Sequence, residues 1–309
     1  MTEGMTAGQK AKTWFAELRA PFFTAAIAPV LLGAAMAWYE TDAFDFGLFL
    51  LTLAGAILAH AGTNIVNDYF DYKSGTDKAN LNRTVFNGGT PFLVNGTLRP
   101  KDVYMAGLLC FALCAVIGIY LTLAVSYIVL VLGVIGVGFG YFYTSPRLNL
   151  AAHGVGEMAI GAGFGPLIVS GTYLVLTGTF SWAAVAAGLP LGIMIGLVVF
   201  INQFPDMVAD AGAGKRHWVV RMGLEKASTW YAALMVSTFA LILALWAFGI
   251  YPEAALLALL AFAVSIKAIR IVLKKHADVR ALVPAQAMTI QAHLAVGLLL
   301  TLGFVIAGS

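Results

Sequence analysis

Nine apolar segments dominate this sequence of 309 residues. They lie at approximately 22–39, 46–67, 103–123, 126–143, 154–176, 183–204, 229–250, 254–273 and 286–307. A helix of about 17–25 residues crosses the hydrocarbon core of a bilayer, and these segments have about that length. Charged residues make up 11% of the chain, against about 25% in soluble domains. The sequence therefore predicts an all-α integral membrane protein with nine transmembrane helices.

The positively charged residues fall on one side of such a nine-helix chain. All 18 Lys and Arg residues precede the first segment, follow the second, fourth or sixth, or flank the connection after the eighth. Cytoplasmic loops are enriched in Lys and Arg, so this side is predicted to be cytoplasmic. The N-terminus is then inside and the C-terminus outside, in a multi-pass protein of the cell inner membrane.

The N-terminal residues 1–21 are predicted to form a cytoplasmic segment. Residues 10–20 can form a short amphipathic helix in the membrane interface, with Trp14 and Leu18 on its apolar side. A signal peptide with a cleavage site at 35–37 is the alternative, but the apolar segment is about long enough to span. No polar stretch is long enough for a soluble domain, so residues 1–309 are predicted to form a single domain.

Two polar segments interrupt the apolar pattern, and the first begins at the end of the second apolar segment. We call residues 64–77 the first polar segment. Its helical part carries Asn64, Asn67, Asp68 and Asp71. The spacing i, i+3, i+4 and i+7 predicts that these side chains share one face of a helix. Gly75 is a typical helix stop, and Asp77 follows it on the loop.

The second polar segment, residues 202–216, begins at the end of the sixth apolar segment. It carries Asn202, Asp206 and Asp210 at intervals of four residues, followed by Gly214, Lys215 and Arg216. The same four-residue interval separates Asn67 from Asp71 and Asp71 from Gly75, which indicates that one sequence motif occurs twice. Both polar segments follow even-numbered helices, which predicts a central cavity that opens at the cytoplasmic face.

Carboxylates that converge beside a bilayer repel one another unless a cation neutralises them. Oxygen ligands without His or Cys favour Mg²⁺, which readily completes its shell with phosphate oxygens. The nearby bases that suit the same phosphates are Lys73, Lys78, Arg83, Lys215 and Arg216. Metal, bases and an apolar cavity together indicate a lipid diphosphate substrate. No nucleic-acid partner is expected.

Each of these residues also has a structural explanation that involves no function. Lys and Arg are expected in the cytoplasmic loops of any membrane protein, and one Asp at a helix end is usually solvated or a cap. Five Asp residues in two polar segments with the same four-residue spacing are harder to explain in this way. Glu157 is open between a buried structural pair and a role in the site. Residues 143–147 either form an interfacial belt with a turn or line the site.

The two polar segments resemble the two aspartate motifs of the UbiA superfamily of membrane prenyltransferases. The resemblance covers the whole chain and implies nine helices with the motifs after the second and sixth. Gly75-x-Asp77 and the loop around Gly88-Gly89 are similar to the MenA-like branch, the 1,4-dihydroxy-2-naphthoate polyprenyltransferases of menaquinone synthesis. Two departures are Pro205, where many members have Arg, and His217, where Thr is common. The proline is expected to kink or end the sixth helix.

The resemblance also implies a role for each site residue. One Mg²⁺ would be held by Asn67, Asp68, Asp71 and Asp77, and the other by Asn202, Asp206 and Asp210. Asp68, Asp71, Asp206 and Asp210 would be the catalytic carboxylates. The substrate-binding residues would be Lys73, Arg83 and Lys215 at the diphosphate, Tyr143 and Ser145 near the aromatic acceptor, and Asn64.

The function implied is Mg²⁺-dependent transfer of a polyprenyl group from polyprenyl diphosphate to an aromatic acceptor. The expected acceptor is 1,4-dihydroxy-2-naphthoate, which loses its carboxylate as CO₂. Prenylation of 4-hydroxybenzoate or 1,4-dihydroxy-6-naphthoate is the nearest alternative. From other classes, a cation-coupled membrane transporter or a CDP-alcohol phosphotransferase would also carry intramembrane Asp residues. The aspartates at one mouth of the bundle, with bases beside them, favour the prenyltransferase.

Overall fold

The computed structural model describes residues 5–42 and 44–309, and every regular element in this part of the chain is a helix. A short helix, α1 (Ala7–Glu17), comes first and is capped by Thr6 in a capping box with Gln9. The membrane-type helices follow as α2 (Ala20–Thr41), α3 (Phe46–Ser74), α4 (Pro100–Ala124), α5 (Tyr127–Phe142), α6 (Gly156–Thr177), α7 (Trp182–Gly212), α8 (Trp218–Ala247), α9 (Glu253–Lys275) and α10 (Val279–Gly308).

Each of the nine predicted segments falls on one of these apolar helices. Eight of the described helices are long and apolar enough to cross a membrane, whereas α5 has only 16 residues. Nine spans and the orientation in the membrane therefore stay predictions. Of the predicted cytoplasmic segment 1–21, residues 1–4 lie outside the described part, and its helix begins at Ala7 rather than at residue 10.

The helices that carry the polar segments extend beyond the predicted apolar limits. α3 continues to Ser74, so its polar residues lie on a helix, and Gly75 ends it in the left-handed conformation with φ 84°. α7 continues through Pro205 to Gly212, so of the two effects expected of this proline, a kink or a helix end, the helix end is wrong. A proline removes one N–H donor, and the surrounding bundle buries both Pro205 and the turns before it.

α7 is the central helix of the bundle. It packs against α6, α8 and α10, and its buried residues include Leu191, Met194, Leu197 and Ile201. α2 packs between α6 and α10, while α3 packs mainly against α4. α3 and α7 thus bring their polar ends to the same side of the molecule. The loop between α3 and α4 folds across both ends and reaches α1.

Candidate active site

A cavity of about 200 Å³ lies where the polar ends of α3 and α7 meet. Nine of the residues predicted for the site line this cavity. They are Asn64, Asn67, Asp71, Asp77, Tyr143, Asn202, Asp206, Asp210 and Lys215. Residues from both polar segments therefore line the same cavity, as their shared spacing at the ends of two helices predicted.

Lys215 joins the two polar segments. Its Nζ lies 2.9 Å from Asp71 Oδ1 on α3 and 3.3 Å from Asp210 Oδ1 on α7. Burial alone would lower the pKa of Lys215, but the carboxylates of Asp71 and then Asp210 raise it above its ordinary value. The ammonium group is thus held charged, at a position between carboxylates of both segments.

Asp206 and Asn202, which also belong to the second polar segment, accept hydrogen bonds from uncharged side chains. Asp206 Oδ1 accepts a hydrogen bond from Asn80 Nδ2 at 2.6 Å and another from the side-chain amide of Asn87. Asn202 Oδ1 accepts from Gln286 Nε2 at 2.9 Å. Asp210 also has a second partner, His217, whose Nε2 lies 3.1 Å from its Oδ2.

Asp68 lies behind the cavity wall. Its Oδ2 accepts the backbone N–H of Thr90 at 2.9 Å, its Oδ1 lies 3.9 Å from Arg19 Nη1, and it is not among the described residues that line the cavity. Glu17, at the end of α1, is fully buried beside it and accepts a hydrogen bond from the Thr90 hydroxyl. Burial, followed by the nearby carboxylate of Asp68, raises the pKa of Glu17 to about 8.

Asp77 and Arg83 fix the loop that follows α3. Arg83 Nη2 donates to the Asp77 carbonyl at 3.0 Å and lies 3.7 Å from Asp77 Oδ1, while Nη1 donates to the carbonyl of Thr90 at 3.3 Å. Burial and the carboxylates of Asp71 and Asp68 raise the pKa of Asp77 to about 8 despite this arginine. Arg83 braces the loop and is not among the described lining residues.

Two further predicted residues stand away from the cavity. Lys73 is exposed, with its ammonium 5.9 Å from the centre of the Tyr69 ring. Ser145 is buried in a turn where its carbonyl accepts the N–H of Asn149 at 2.8 Å, and its neighbour Thr144 lines the cavity instead. The lining residues absent from the sequence prediction include Arg19, His60, Asn80, Asn87 and His217. The sequence offers one signal for Asn80 and Asn87, which is that Asn recurs in the loop between α3 and α4.

An apolar groove of about 170 Å³ continues from the cavity. The two share His60, Thr63, Ile160 and Phe164, and helices α3 to α6 line the groove. It follows α3 from Thr63 back to Thr52, a rise of about 16 Å on a helix. A polar head group in the cavity would therefore leave room for an apolar tail between helices.

No group of three or more His, Cys, Asp or Glu side chains is arranged to hold a metal ion within residues 5–42 and 44–309. The fold and the site define a multi-pass membrane protein whose polar cavity opens into an apolar groove. The chain belongs to the UbiA prenyltransferase family, whose profile matches residues 26–290. It is therefore a transferase of that family, and the transporter and phosphotransferase alternatives are wrong.

Two curated relatives and one solved structure illustrate this membership. The chain is 29% identical over 236 residues to a 1,4-dihydroxy-2-naphthoate octaprenyltransferase of Bacillus subtilis, covering 75% of this chain and 73% of that protein. It is 32% identical over 237 residues to the enzyme of the same name from Mycobacterium tuberculosis, covering 75% and 78%. A UbiA homolog from Archaeoglobus fulgidus, solved bound to GPP and Mg²⁺, superposes with a TM-score of 0.59 at 15% identity, covering 93% and 99%.

Proposed function

We propose that this enzyme transfers a polyprenyl group from polyprenyl diphosphate to 1,4-dihydroxy-2-naphthoate in a Mg²⁺-dependent reaction. The observation that carries the proposal is the junction between the two polar segments, where Lys215 contacts Asp71 and Asp210 at the head of an apolar groove. The C–O bond to the diphosphate breaks and a C–C bond to the aromatic ring forms. The ring loses its carboxylate as CO₂, as the family resemblance implies.

The amide and carboxylate oxygens that line this cavity are of the type that binds Mg²⁺, although the described carboxylates are not grouped around one point. Asn67 and Asp71 would hold one ion, and Asn202, Asp206 and Asp210 the other, because carboxylate and amide oxygens are its preferred protein ligands. Burial first, and then the carboxylates of Asp71 and Asp68, raise the pKa of Asp77, and a bound cation would oppose both effects. When bound, Mg²⁺ supplies positive charge to the departing diphosphate.

The residues of the chain then have separate tasks. Lys215 presents a fixed ammonium to the diphosphate oxygens, and its salt bridges hold it in place before charge develops there. Asn80 and Asn87 hold the carboxylate of Asp206 in one orientation. Asp68 and Asp77, which the resemblance assigns to the metal, would act from the loop side of the site.

The prenyl tail occupies the apolar groove. No Asp, Glu, Lys or Arg is among its described lining residues, so the allylic cation that forms at the head of the tail is kept from water. A long tail reaches the bilayer, because the groove follows α3 for only about 16 Å. The acceptor ring lies beside Tyr143, Ile160 and Phe164, between the polar head of the cavity and the groove.

The orientation is part of the same proposal. We place the single domain in the cytoplasmic membrane with nine spans, the N-terminus inside and the C-terminus outside, so that the cavity opens to the cytoplasm. Support comes from the segregation of all 18 Lys and Arg residues. A reporter fused after Ser309 should read as external, and one inserted within 78–84 as cytoplasmic. A cytoplasmic C-terminus would mean an even number of spans.

The test of function uses purified protein in nanodiscs with Mg²⁺ and prenyl diphosphates of several lengths. Three acceptors are compared: 1,4-dihydroxy-2-naphthoate, 1,4-dihydroxy-6-naphthoate and 4-hydroxybenzoate. Mass spectrometry should detect a prenylated naphthalene that has lost the carboxylate. Efficient prenylation of 4-hydroxybenzoate with neither naphthoate used would overturn the acceptor assignment and leave the family activity in place.

A further inference from the structure

A pair of buried polar residues joins α6 to α7 at the wall of the cavity. Gln203, which follows Asn202 on α7, lines the cavity and is 8% exposed. Its Nε2 donates to Glu157 Oε1 on α6 at 2.9 Å. Glu157 Oε1 also lies 3.5 Å from the backbone nitrogen of Trp218. Among the described residues, neither side chain is hydrogen-bonded to an Asp of the two polar segments.

The carboxylate fixes which way the Gln203 amide points. Because the NH₂ group of Gln203 donates to Glu157 Oε1, the carbonyl oxygen of the same amide faces away from Glu157. That oxygen is buried and has no hydrogen-bond partner among the described residues. A buried carbonyl without a partner is costly, and such groups in native proteins call for an explanation.

The surroundings of this oxygen suit a flat aromatic molecule that carries hydroxyl groups. Ile160 lies one turn along α6 from Glu157, Val199 lies one turn before Gln203 on α7, and both line the cavity with Phe164. Three more buried polar atoms here have no partner among the described residues: the hydroxyl of Thr144 and Nδ1 of His60, both on lining residues, and the second oxygen of Glu157, Oε2. The wall therefore combines apolar side chains with several hydrogen-bonding groups that have no partner, of which the Gln203 oxygen has its orientation fixed by Glu157.

We propose that Gln203 Oε1 accepts a hydrogen bond from a ring hydroxyl of the aromatic acceptor, and that Glu157 is a positioning residue that holds the amide in the required orientation. This inference rests on the proposed function, since it assigns a contact to the acceptor of that reaction. The diphosphate and its tail lie on the other residues of the cavity and in the groove. The pair should therefore affect binding of the acceptor and leave binding of the prenyl diphosphate unchanged.

The decisive variant is Gln203→Met, which keeps the side-chain length and removes both hydrogen-bonding groups. Steady-state kinetics are measured with each substrate varied in turn. The KM for 1,4-dihydroxy-2-naphthoate should rise by up to about tenfold, the loss of one buried hydrogen bond, while the KM for prenyl diphosphate stays within about twofold. Glu157→Gln should raise the acceptor KM by about twofold, because the amide of Gln203 is then free to flip.

Two controls separate this contact from a structural role. Tyr231→Phe removes a buried hydrogen bond to Thr289 away from the cavity, and it should lower thermal stability without changing either KM. The two monomethyl ethers of the acceptor are tested as competitive inhibitors. The ether that blocks the contacted hydroxyl should bind about tenfold more weakly to wild type than its isomer does, and equally to Gln203→Met.

Each outcome decides one of the two proposals. If wild type does not prenylate the naphthoate, the proposed function fails and this inference fails with it. If wild type is active but Gln203→Met shifts both KM values together or neither, the pair only links helices and the inference alone is overturned. If Gln203→Met does not fold, the ether comparison on wild type and the acceptor KM of Glu157→Gln decide it.

Discussion

The two polar segments share one spacing in the sequence but differ in how the folded chain satisfies their charges. In the second, Asp206 is held by two Asn side chains, and Asp210 by Lys215 and His217. In the first, Asp71 contacts Lys215 at 2.9 Å, but Asp68 and Asp77 are buried beside Gly89, with arginines no closer than 3.7 Å to their carboxylates. Asp206 and Asp210 thus have side-chain donors within 3.3 Å, whereas Asp68 Oδ1 has no hydrogen bond, so the first segment keeps two buried carboxylates without a close base although Asp71 shares Lys215.

The difference between the two segments indicates where a bound cation would be most stabilising. A carboxylate with good donors gains little from a further partner, whereas carboxylates crowded at low dielectric gain much. We therefore expect ligand binding to stabilise the first segment more than the second, although both are needed for turnover.

The largest effect should come from the central carboxylates. Asp71→Asn and Asp206→Asn each keep the shape and remove a charge, so each should lower kcat by about 10²–10³, as loss of one transition-state contact does. Both variants should still fold, because Asn keeps an oxygen toward the neighbouring donors. Turnover and the thermal shift given by Mg²⁺ plus prenyl diphosphate are measured.

The control for these variants is Asp42→Asn, an exposed residue at the end of α2, which should change neither quantity. Near-wild-type turnover of either site variant would show that its segment does not act on the leaving group. A larger loss of ligand-induced thermal shift in Asp71→Asn than in Asp206→Asn is the signature of the contrast between segments.

The next effect concerns the connection between the segments. Lys215→Met removes a buried charge that contacts both, and kcat/KM for prenyl diphosphate should fall by about 10- to 100-fold, the loss of one charged hydrogen bond. Lys215→Arg should recover part of it. Lys73→Met, which alters an exposed side chain beside Tyr69, is the matched control and should have little effect. An equal loss in Lys73→Met would support the role that the resemblance gave this lysine.

A smaller effect tests whether the loop is packed on Asp68. Gly89 has φ +65°, and a Cβ there would lie 2.9 Å from Asp68 Oδ1. Gly96 has φ +73°, and a Cβ added there would meet no atom within 4 Å outside its chain neighbours, so Gly96→Ala should cost only about 1 kcal/mol for the positive φ. Gly89→Ala should cost about 2–3 kcal/mol, because the crowding adds to the same strain. Equal changes in thermal stability would show that Asp68 does not support the loop.

Periodicity and apolar runs predicted the helices and the polar ends of α3 and α7, because both depend on local sequence. These local patterns could not show that Asp71 lines the cavity whereas Asp68 lies behind its wall. Asp68 is buried by Thr90, a contact across 22 residues that no local spacing encodes. Nor could they choose between Lys215 and Lys73, since the position of Lys215 depends on α7 continuing through Pro205. Partners such as Asn87 follow from the path of a loop, which has no period.

Glu17 was missed for the same reason and is the basis of the last prediction. It is the acidic residue at the end of an otherwise amphipathic helix, and only the fold buries it against Thr90 and Asp68. Its pKa is about 8 in the folded protein against an ordinary value of 4.5. The folded state therefore binds a proton that the unfolded state releases above pH 4.5. This contribution to stability is complete below pH 4.5 and is lost as pH rises through 8.

Wild-type protein without ligands should accordingly lose thermal stability between pH 6 and pH 9, the interval that includes the pKa of about 8 given by Glu17 and Asp77. Glu17→Gln mimics the neutral carboxyl, so its melting temperature should fall less over this interval. Asp77 contributes to the part that remains. Glu225→Gln, an exposed position on α8, should keep the wild-type pH dependence. If Glu17→Gln and wild type lose stability in parallel, Glu17 does not contribute to this pH dependence.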